Sequence, residues 1–359
     1  MYKKNYEIFF KHGLFLLVLM LILFLFLRNS SPTYARLGAN SPIVVFEDLL
    51  QSYGYKKAWY KARATVLFFR LLSDYITEYD YVTNRYDCKW IYSLRTIDII
   101  ASKVHMYQHL HEHLRSSQLD QVVPETYVLS NESIDSWYEP DTLYILKKNI
   151  QRQRGCLLTR NENTIRFAQN DGYLVAQRVL LDNFLVNGRK INMRHYVIIL
   201  VDHDVRMYAF RNAFLYYSPS VYDPDSDLKE VHITSGLIDR EIYCQNPLTM
   251  DELCQGLDTG AEVLRSNVRN LLTVVFGSFR DILKAKDGQN PQTNFVIVGA
   301  DLSVDSQLNC KIMEINKGPD LGFKDERDAT LKRQMVHCAF ALAGICKRPK
   351  DLNNLVYSL

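Results

Sequence analysis

The chain has 359 residues, 47% of them hydrophobic, which is enough for a sizeable core in one large domain or two small ones. Its 43 Lys and Arg against 40 Asp and Glu leave a formal charge of +3, too small an excess for the electrostatic footprint of a nucleic-acid binder. The 7 Cys are an odd, scattered set with no CxxC pair, which argues against structural zinc and favours free thiols in a reducing compartment.

Gly13 to Leu27 (GLFLLVLMLILFLFL) is an uninterrupted apolar run of about 15 residues, where a membrane span needs roughly 17–25. Lys3, Lys4 and Lys11 precede it and Arg28 follows. Phe9 and Phe10 extend it if Lys11 snorkels. A signal anchor over residues 1–28 is the leading reading. A cleaved signal, with a mediocre small-x-small site at Thr33-Tyr34-Ala35, and a buried helix are its rivals.

Residues 29–88 read as a juxtamembrane helical linker, with Phe46, Leu49, Leu50, Trp59, Ala62 and Val66 at helical spacing. From Lys89, helix and strand patterns alternate to about residue 350, the expected main domain. Val123–Leu129 is a strand entered through Pro124, and Leu143–Leu146 another, ending on Lys147 and Lys148. A polar loop runs to Gly155. Tyr173–Val179 follows the Asp171-Gly172 turn. Met193–Val201 and Arg206–Phe210 are strands, and Arg211-Asn212 is expected to turn the chain into Ala213–Tyr217. A capping box, Thr249-x-x-Glu252, opens an expected long helix through Leu253, Leu264, Val268 and Val275. Phe295–Ser303 and Cys310–Ile315 form a final hairpin, and a helix from about Ala329 closes the domain.

That hairpin carries the strongest chemical signal. With its turn centred between Gln307 and Leu308, Asp301 falls opposite Glu314, and Asn316 shares Glu314's face. Three oxygen-bearing side chains on one side of a sheet suit Mg²⁺, which completes its octahedron with phosphates and water. A solvent-facing polar edge is the competing reading. Basic residues favour the first. Lys147 ends a strand, Arg152 and Arg154 lie in the loop beside Gly155, and Lys190, Asn192 and Arg194 alternate along one face. A positive cradle beside a carboxylate cluster points to a nucleoside triphosphate, although no Walker loop or kinase signature is present.

The order of motifs resembles that of tubulin–tyrosine ligase-like enzymes over about 255 residues. Val123–Leu129 (VPETYVL) is similar to their P-K-T-F-x-L strand, Tyr144–Lys147 to W-I-x-K-P, and Arg152–Gly155 to R-G-R-G. Further on, Ala176–Leu180 resembles V-Q-K-Y-I, Gly188–Arg194 resembles G-R-K-F-D-x-R, and Val205–Arg211 resembles R-V-Y-x-Y-R. The last three are His232–Ser235 against H-L-T-N, Gly299–Leu302 against G-F-D-F, and Met313–Pro319 against L-E-V-N-x-x-P. Each fragment is weak alone; nine in order are specific.

The resemblance implies an α+β ATP-grasp fold, with nucleotide held between two mainly antiparallel sheets behind the anchor helix. It implies that Lys147 holds the ATP phosphates, and that Arg154 and Gly155 close a loop over them. Gln177, Arg178, Leu180 and Lys190 would line the adenine pocket, with Asn192 also binding nucleotide. Arg194 and Arg211 would steady the transferring phosphate, while Asp301, Glu314 and Asn316 hold Mg²⁺. Lys103 is matched to an upstream nucleotide-binding lysine, with a plain surface lysine as its rival. The implied reaction joins a free amino acid to a carboxylate of an acidic, tubulin-like protein tail through an acyl phosphate. A nucleotide- or cytoskeleton-binding pseudoenzyme and a ligase for a small molecule or cell-surface polymer are the alternatives. Lys148, Gln153, Asn192 and Ser235 depart from the family's Pro, Gly, Asp and Asn.

Topology is pulled two ways. The slight excess of Lys before the apolar run favours a luminal domain. The need for cytosolic ATP and the unpaired Cys favour a cytosolic one, and residues 29–359 are expected in the cytosol on a single-pass anchor.

Overall fold

A computed structural model describes residues 31–37, 44–59, 63–68, 79–81, 83–130, 133–149, 155–234, 240–288 and 291–359. The expected anchor at 13–27, the loop residues Arg152, Gln153 and Arg154, the sequon residue Asn131, and Ser235 lie outside these. Among the described residues no helix is long and apolar enough to cross a membrane.

The fold is mixed α+β with two sheets. The larger is built on two long neighbours, β10 (Arg189–Val201) and β11 (Val205–Tyr217), and on β12 (Thr293–Val304). β10 pairs antiparallel with both, so it is central and buried along almost its whole length. Its run Tyr196–Val201 (YVIILV) is apolar at every position because both faces are covered. β13 (Cys310–Asn316) extends the antiparallel part beyond β12, and β14 (Val356–Ser358) extends it beyond β11.

The other flank is parallel. β4 (Trp90–Tyr92) joins β12, followed by β3 (Val66–Phe68), β1 (Thr33–Arg36) and β2 (Lys56–Lys57). The large sheet is thus mainly antiparallel, as expected, with a short parallel flank that the sequence did not indicate. The segment read as a helical linker does contain the helix Val44–Ser52. It also contributes β1, β2 and β3, and the buried residues Tyr34, Ala35, Val66, Leu67 and Phe68 of β1 and β3 join the main core.

The smaller sheet is wholly antiparallel, in the order β5 (Thr126–Val128), β8 (Val175–Arg178), β6 (Tyr144–Lys147), β7 (Cys156–Thr159). It has its own core of Trp137, Tyr144, Leu146, Ile165, Ala168 and Ala176, with Tyr127 stacked on Trp137 at 4.2 Å between ring centroids.

Two local expectations are revised. Arg211-Asn212 is not a turn. β11 runs continuously through it, and the register against β10 shifts between His195 and Val197, so Phe210, Arg211 and Asn212 form a bulge. The one reversal between these strands is that between Val201 and Val205, where the expected strands 193–201 and 206–210 meet. The long helix expected from Thr249 is broken. Helix Met250–Cys254 ends, Asp258 takes a left-handed φ of 44°, and helix Gly260–Ser278 begins. The expected capping box is half formed: Thr249 Oγ1 accepts from the Glu252 amide at 3.2 Å, but the Glu252 carboxylate accepts from the Leu248 amide at 2.7 Å rather than from that of Thr249. The closing helix spans Glu326–Ala343, capped by Asp325.

Candidate active site

The site is a row of side chains running across adjacent strands of the large sheet. Arg194 on β10 lies opposite Asp301 on β12, and Asp301 lies opposite Glu314 on β13. Residues opposite one another share a face, so the three side chains meet without help from any loop. Arg194 grips Asp301 with two bonds, Nη2 donating to Oδ2 at 2.8 Å and Nε donating to Oδ1. Asn316 shares Glu314's face as expected. Its Nδ2 donates to Asp301 Oδ2 at 3.2 Å and to Glu314 Oε1 at 3.1 Å. Lys103 opens helix Lys103–His113, and its Nζ stands 3.3 Å from Glu314 Oε2.

The smaller sheet supplies a second, polar chain. Lys147 at the end of β6 donates to Gln177 Oε1 at 2.7 Å. Gln177 Nε2 donates to Thr126 Oγ1, and the Thr126 hydroxyl donates to the Pro124 carbonyl, each at 2.7 Å. Gln177 is thereby oriented with its carbonyl toward the lysine. Lys147 and Glu314 come from different sheets, and their charges act on each other across the cleft.

Burial and charge oppose each other throughout. Burial raises the Asp301 carboxyl, and Arg194 pulls it back. Burial would raise Glu314 too, but Lys103 and Lys147 outweigh it and hold the group at about 2. Burial lowers Lys147, against the attraction of Glu314. Lys190 is pushed down to about 8 by burial and by the neighbouring charge of Lys147. Four basic side chains (Lys103, Lys147, Lys190 and Arg194) thus face two carboxylates. A multiply charged anion accompanied by a divalent cation would relieve both imbalances.

Two further features fit such a ligand. Asn192 Oδ1 is buried and accepts no hydrogen bond among the described residues, so it is poised for a donor. Asp301 and Glu314 have their charges met by Arg194, Lys103 and the Asn316 amide, as a cation would meet them. Among the described residues no third His, Cys, Asp or Glu joins them, which leaves positions on a hard cation for phosphate oxygens.

Other expected residues stand elsewhere. Arg178 follows Gln177 and therefore points to the opposite face, where it pairs with Glu125 at 2.9 Å and with Glu139. Leu180 lies just past β8, half-buried, its carbonyl accepting from Asn183 Nδ2 at 2.8 Å. Gly155 is buried at the mouth of β7, its carbonyl accepting from the Lys148 amide at 2.8 Å. Arg211 is not brought to the row. The bulge leaves it exposed, with Nη2 at 3.3 Å from the Asn353 carbonyl and its guanidinium 5.5 Å from the Tyr357 ring.

In its stead Tyr216 lines the site. It lies opposite Asn192, its ring is 5.1 Å from the Arg194 guanidinium, and burial pushes its phenol up to about 12. Sequence reasoning missed Tyr216 because the bulge moves the register by two residues and so brings Tyr216 rather than Phe214 opposite Asn192. Thr126 and Gly299 were missed although both stand inside quoted motifs.

A family model described as "Tubulin-tyrosine ligase family" matches residues 83–353. The chain belongs to the tubulin-tyrosine ligase family. Among curated relatives, it is 21% identical over 296 residues to tubulin polyglutamylase TTLL5 of Mus musculus, covering 74% of this chain and 22% of that protein. It is 23% identical over 247 residues to the probable tubulin polyglutamylase ttll-9 of Caenorhabditis elegans, covering 63% of this chain and 59% of that protein. To tubulin monoglutamylase TTLL4 of Homo sapiens it is 22% identical over 192 residues, covering 48% of this chain and 16% of that protein. The chain thus spans between a sixth and three fifths of the length of these relatives. As a tubulin-tyrosine ligase family member it has the two-sheet α+β architecture, with the row Arg194, Asp301, Glu314 on the large sheet and Lys147 on the small one.

Proposed function

We propose that this chain is an ATP- and Mg²⁺-dependent ligase that joins an amino acid to a carboxylate of an acidic, tubulin-like protein tail. The observation that carries the proposal is the pairing of Asp301 with Glu314 inside a ring of Lys103, Lys147, Lys190 and Arg194. Family membership and relatives named for tubulin glutamylation support the acceptor class.

In this reading Asp301, Glu314 and Asn316 hold Mg²⁺, which supplies charge neutralisation at the phosphates. Lys147 and Lys103 neutralise phosphate oxygens. Gln177 and Lys190 bound the nucleotide, and Asn192 accepts from a nucleotide donor. Arg194 steadies charge at the transferring phosphate, and an acyl phosphate is the species the amine attacks. The share of the protein is positioning and electrostatics by side chains that are themselves largely buried, Lys147, Gln177, Lys190, Arg194 and Asp301 among them. Arg154 and Gly155 are assigned to the closing loop on the resemblance alone.

A second reading keeps ATP binding without ligation. It is favoured by Arg211 lying outside the row and by an amide, Asn192, where the family carries a carboxylate. Titration calorimetry with ATP and Mg²⁺ tests binding. An ADP-release assay with and without tubulin, followed by intact-mass measurement with an amino-acid mixture, tests ligation. Binding without ADP release or mass gain would establish the second reading.

We also propose a single-pass anchor over residues 13–27, with the domain in the cytosol, on the strength of the apolar run, the free thiols and the need for ATP. Protease protection on intact microsomes tests this. A protected domain with glycan on Asn131 reverses the topology and replaces tubulin with a luminal acceptor.

A further inference from the structure

We infer that Gly299 is a positioning residue, the seat on which Arg194 lies in order to reach Asp301. Gly299 stands two residues before Asp301 on β12 and therefore on the same face. Its backbone does not call for glycine: unlike Gly54, Gly172, Gly188 and Gly344, it has no positive φ. Space does call for it. A Cβ at 299 would lie 2.7 Å from Arg194 Cδ, 3.1 Å from Arg194 Nε and 3.1 Å from Pro319 Cβ. Carbon atoms in comfortable contact sit about 3.5–4.0 Å apart, so a methyl group there cannot be accommodated in place.

The strand cannot withdraw to make room. Gly299 is paired on both edges, with Tyr196 on β10 and Asn316 on β13. The Arg194 methylenes are then what must move. They carry a guanidinium fixed by two bonds to Asp301 and lying 5.1 Å from the Tyr216 ring. Lifting them by the needed ångström takes the planar fork out of register with the carboxylate. Asp301 then loses the partner that, with Asn316, sets where its oxygens point. Gly299 acts through Arg194 on the orientation of Asp301. The effect of that orientation on Mg²⁺–ATP rests on the function proposed above; the seat itself does not.

Two measurements separate these layers. The first is a double-mutant cycle read by thermal unfolding without nucleotide, combining Gly299→Ala with Arg194→Ala. Gly299→Ala alone is expected to lower Tm by roughly 4 °C or more, and by less than half as much once the Arg194 side chain is gone. Should Gly299→Ala fail to fold alone, recovery of folded protein in the Arg194→Ala background reads the same coupling. Equal shifts in both backgrounds, or failure to fold in both, overturn the seat. The second measurement is calorimetric titration of ATP with and without Mg²⁺. Gly299→Ala is expected to weaken Mg²⁺–ATP binding about tenfold, with binding of ATP alone changed by less than about threefold. Unchanged Mg²⁺–ATP affinity overturns the positioning role. A wild type that binds no ATP while the thermal coupling is present overturns the nucleotide reading and leaves the seat standing.

Discussion

Asp301 faces Glu314 directly across β12 and β13, and the register slips immediately beyond them, where Leu302 pairs with Ile312 instead of Met313. The slip places the bulge on β13 beside Glu314. The pairing that matters for the site is therefore set on the Asn316 side, where Gly299 meets Asn316 and Ala300 meets Ile315. The irregularity falls between the site and the Asp305–Asn309 turn.

Glu314→Gln tests the metal assignment. The amide keeps shape and its bond to Asn316, but it removes the charge that Lys103 and Lys147 hold ionised. The variant is expected to fold and to lose Mg²⁺-dependent ATP turnover by at least about a hundredfold. Circular dichroism and an ADP-release assay check the two halves. Near-normal turnover would remove Glu314 from the metal site.

Arg194 and Arg211 are expected to part company. The family resemblance gives both the same role, whereas the bulge at Phe210–Asn212 sends Arg211 to Asn353 and Tyr357. Arg194→Ala should reduce turnover by at least about a hundredfold, and Arg211→Ala by less than about threefold. A large loss with Arg211→Ala would mean that the two arginines meet in the loaded enzyme.

Asn192→Asp tests the role of a buried acceptor. Among the described residues its Oδ1 has no donor, and it lies beside Lys190 and Arg194, two cations on the same face of β10. A carboxylate there would be welcome electrostatically and would accept more strongly than an amide. ATP affinity is expected to rise by roughly tenfold. Calorimetry reads the change directly, and weaker binding would show that the amide N–H₂ is what the ligand uses.

Much of this site was legible because it depends on periods of two. Lys190, Asn192 and Arg194 alternate on an apolar strand, which survives small errors in strand ends. Asp301 meets Glu314 on a subtler count: the turn centres on Gln307, with Val304 opposite Cys310, and the extra residue at the β13 bulge brings Glu314 rather than Met313 opposite Asp301. What was not legible depends on counts that pattern alone leaves open. The two extra residues of β11 at its bulge decide that Tyr216 rather than Phe214 lies opposite Asn192. The first three strands, of four, two and three residues, are too short to show a period. Val66–Phe68 is apolar at every position, as a strand buried on both faces must be, and Val66 fits a helical spacing equally well. The helix break at 255–259 follows from the left-handed Asp258 between Gly256 and Gly260, a cue that the surrounding heptad-like spacing of Leu253, Leu257 and Ala261 overrode.

Lys190 gives a prediction in which the sign is fixed by burial. Its ammonium is buried on β10, its backbone is tied to Ser218, and burial together with the charge of Lys147 lowers its folded pKa from 10.5 to about 8. A lysine whose folded pKa is depressed makes the folded state bind fewer protons than the unfolded one between those two values. Stability should therefore rise with pH from about 8 to about 10.5, and the cost of the buried charge should be felt in full below about 8. Lys190→Met removes the charge and keeps the apolar stem. Without nucleotide, the variant should melt higher than wild type at pH 7, and the difference should close as pH rises through 8 to 10.5. With ATP present the order should invert at pH 7, because the bound nucleotide gives the wild-type ammonium an acceptor that it does not have among the described residues, and the variant cannot make that bond. Thermal unfolding of both proteins across pH 6 to 11, with and without ATP, checks all three statements. A difference in Tm that does not vary with pH would mean that Lys190 is solvated in solution and that its side chain is not part of a dry nucleotide pocket.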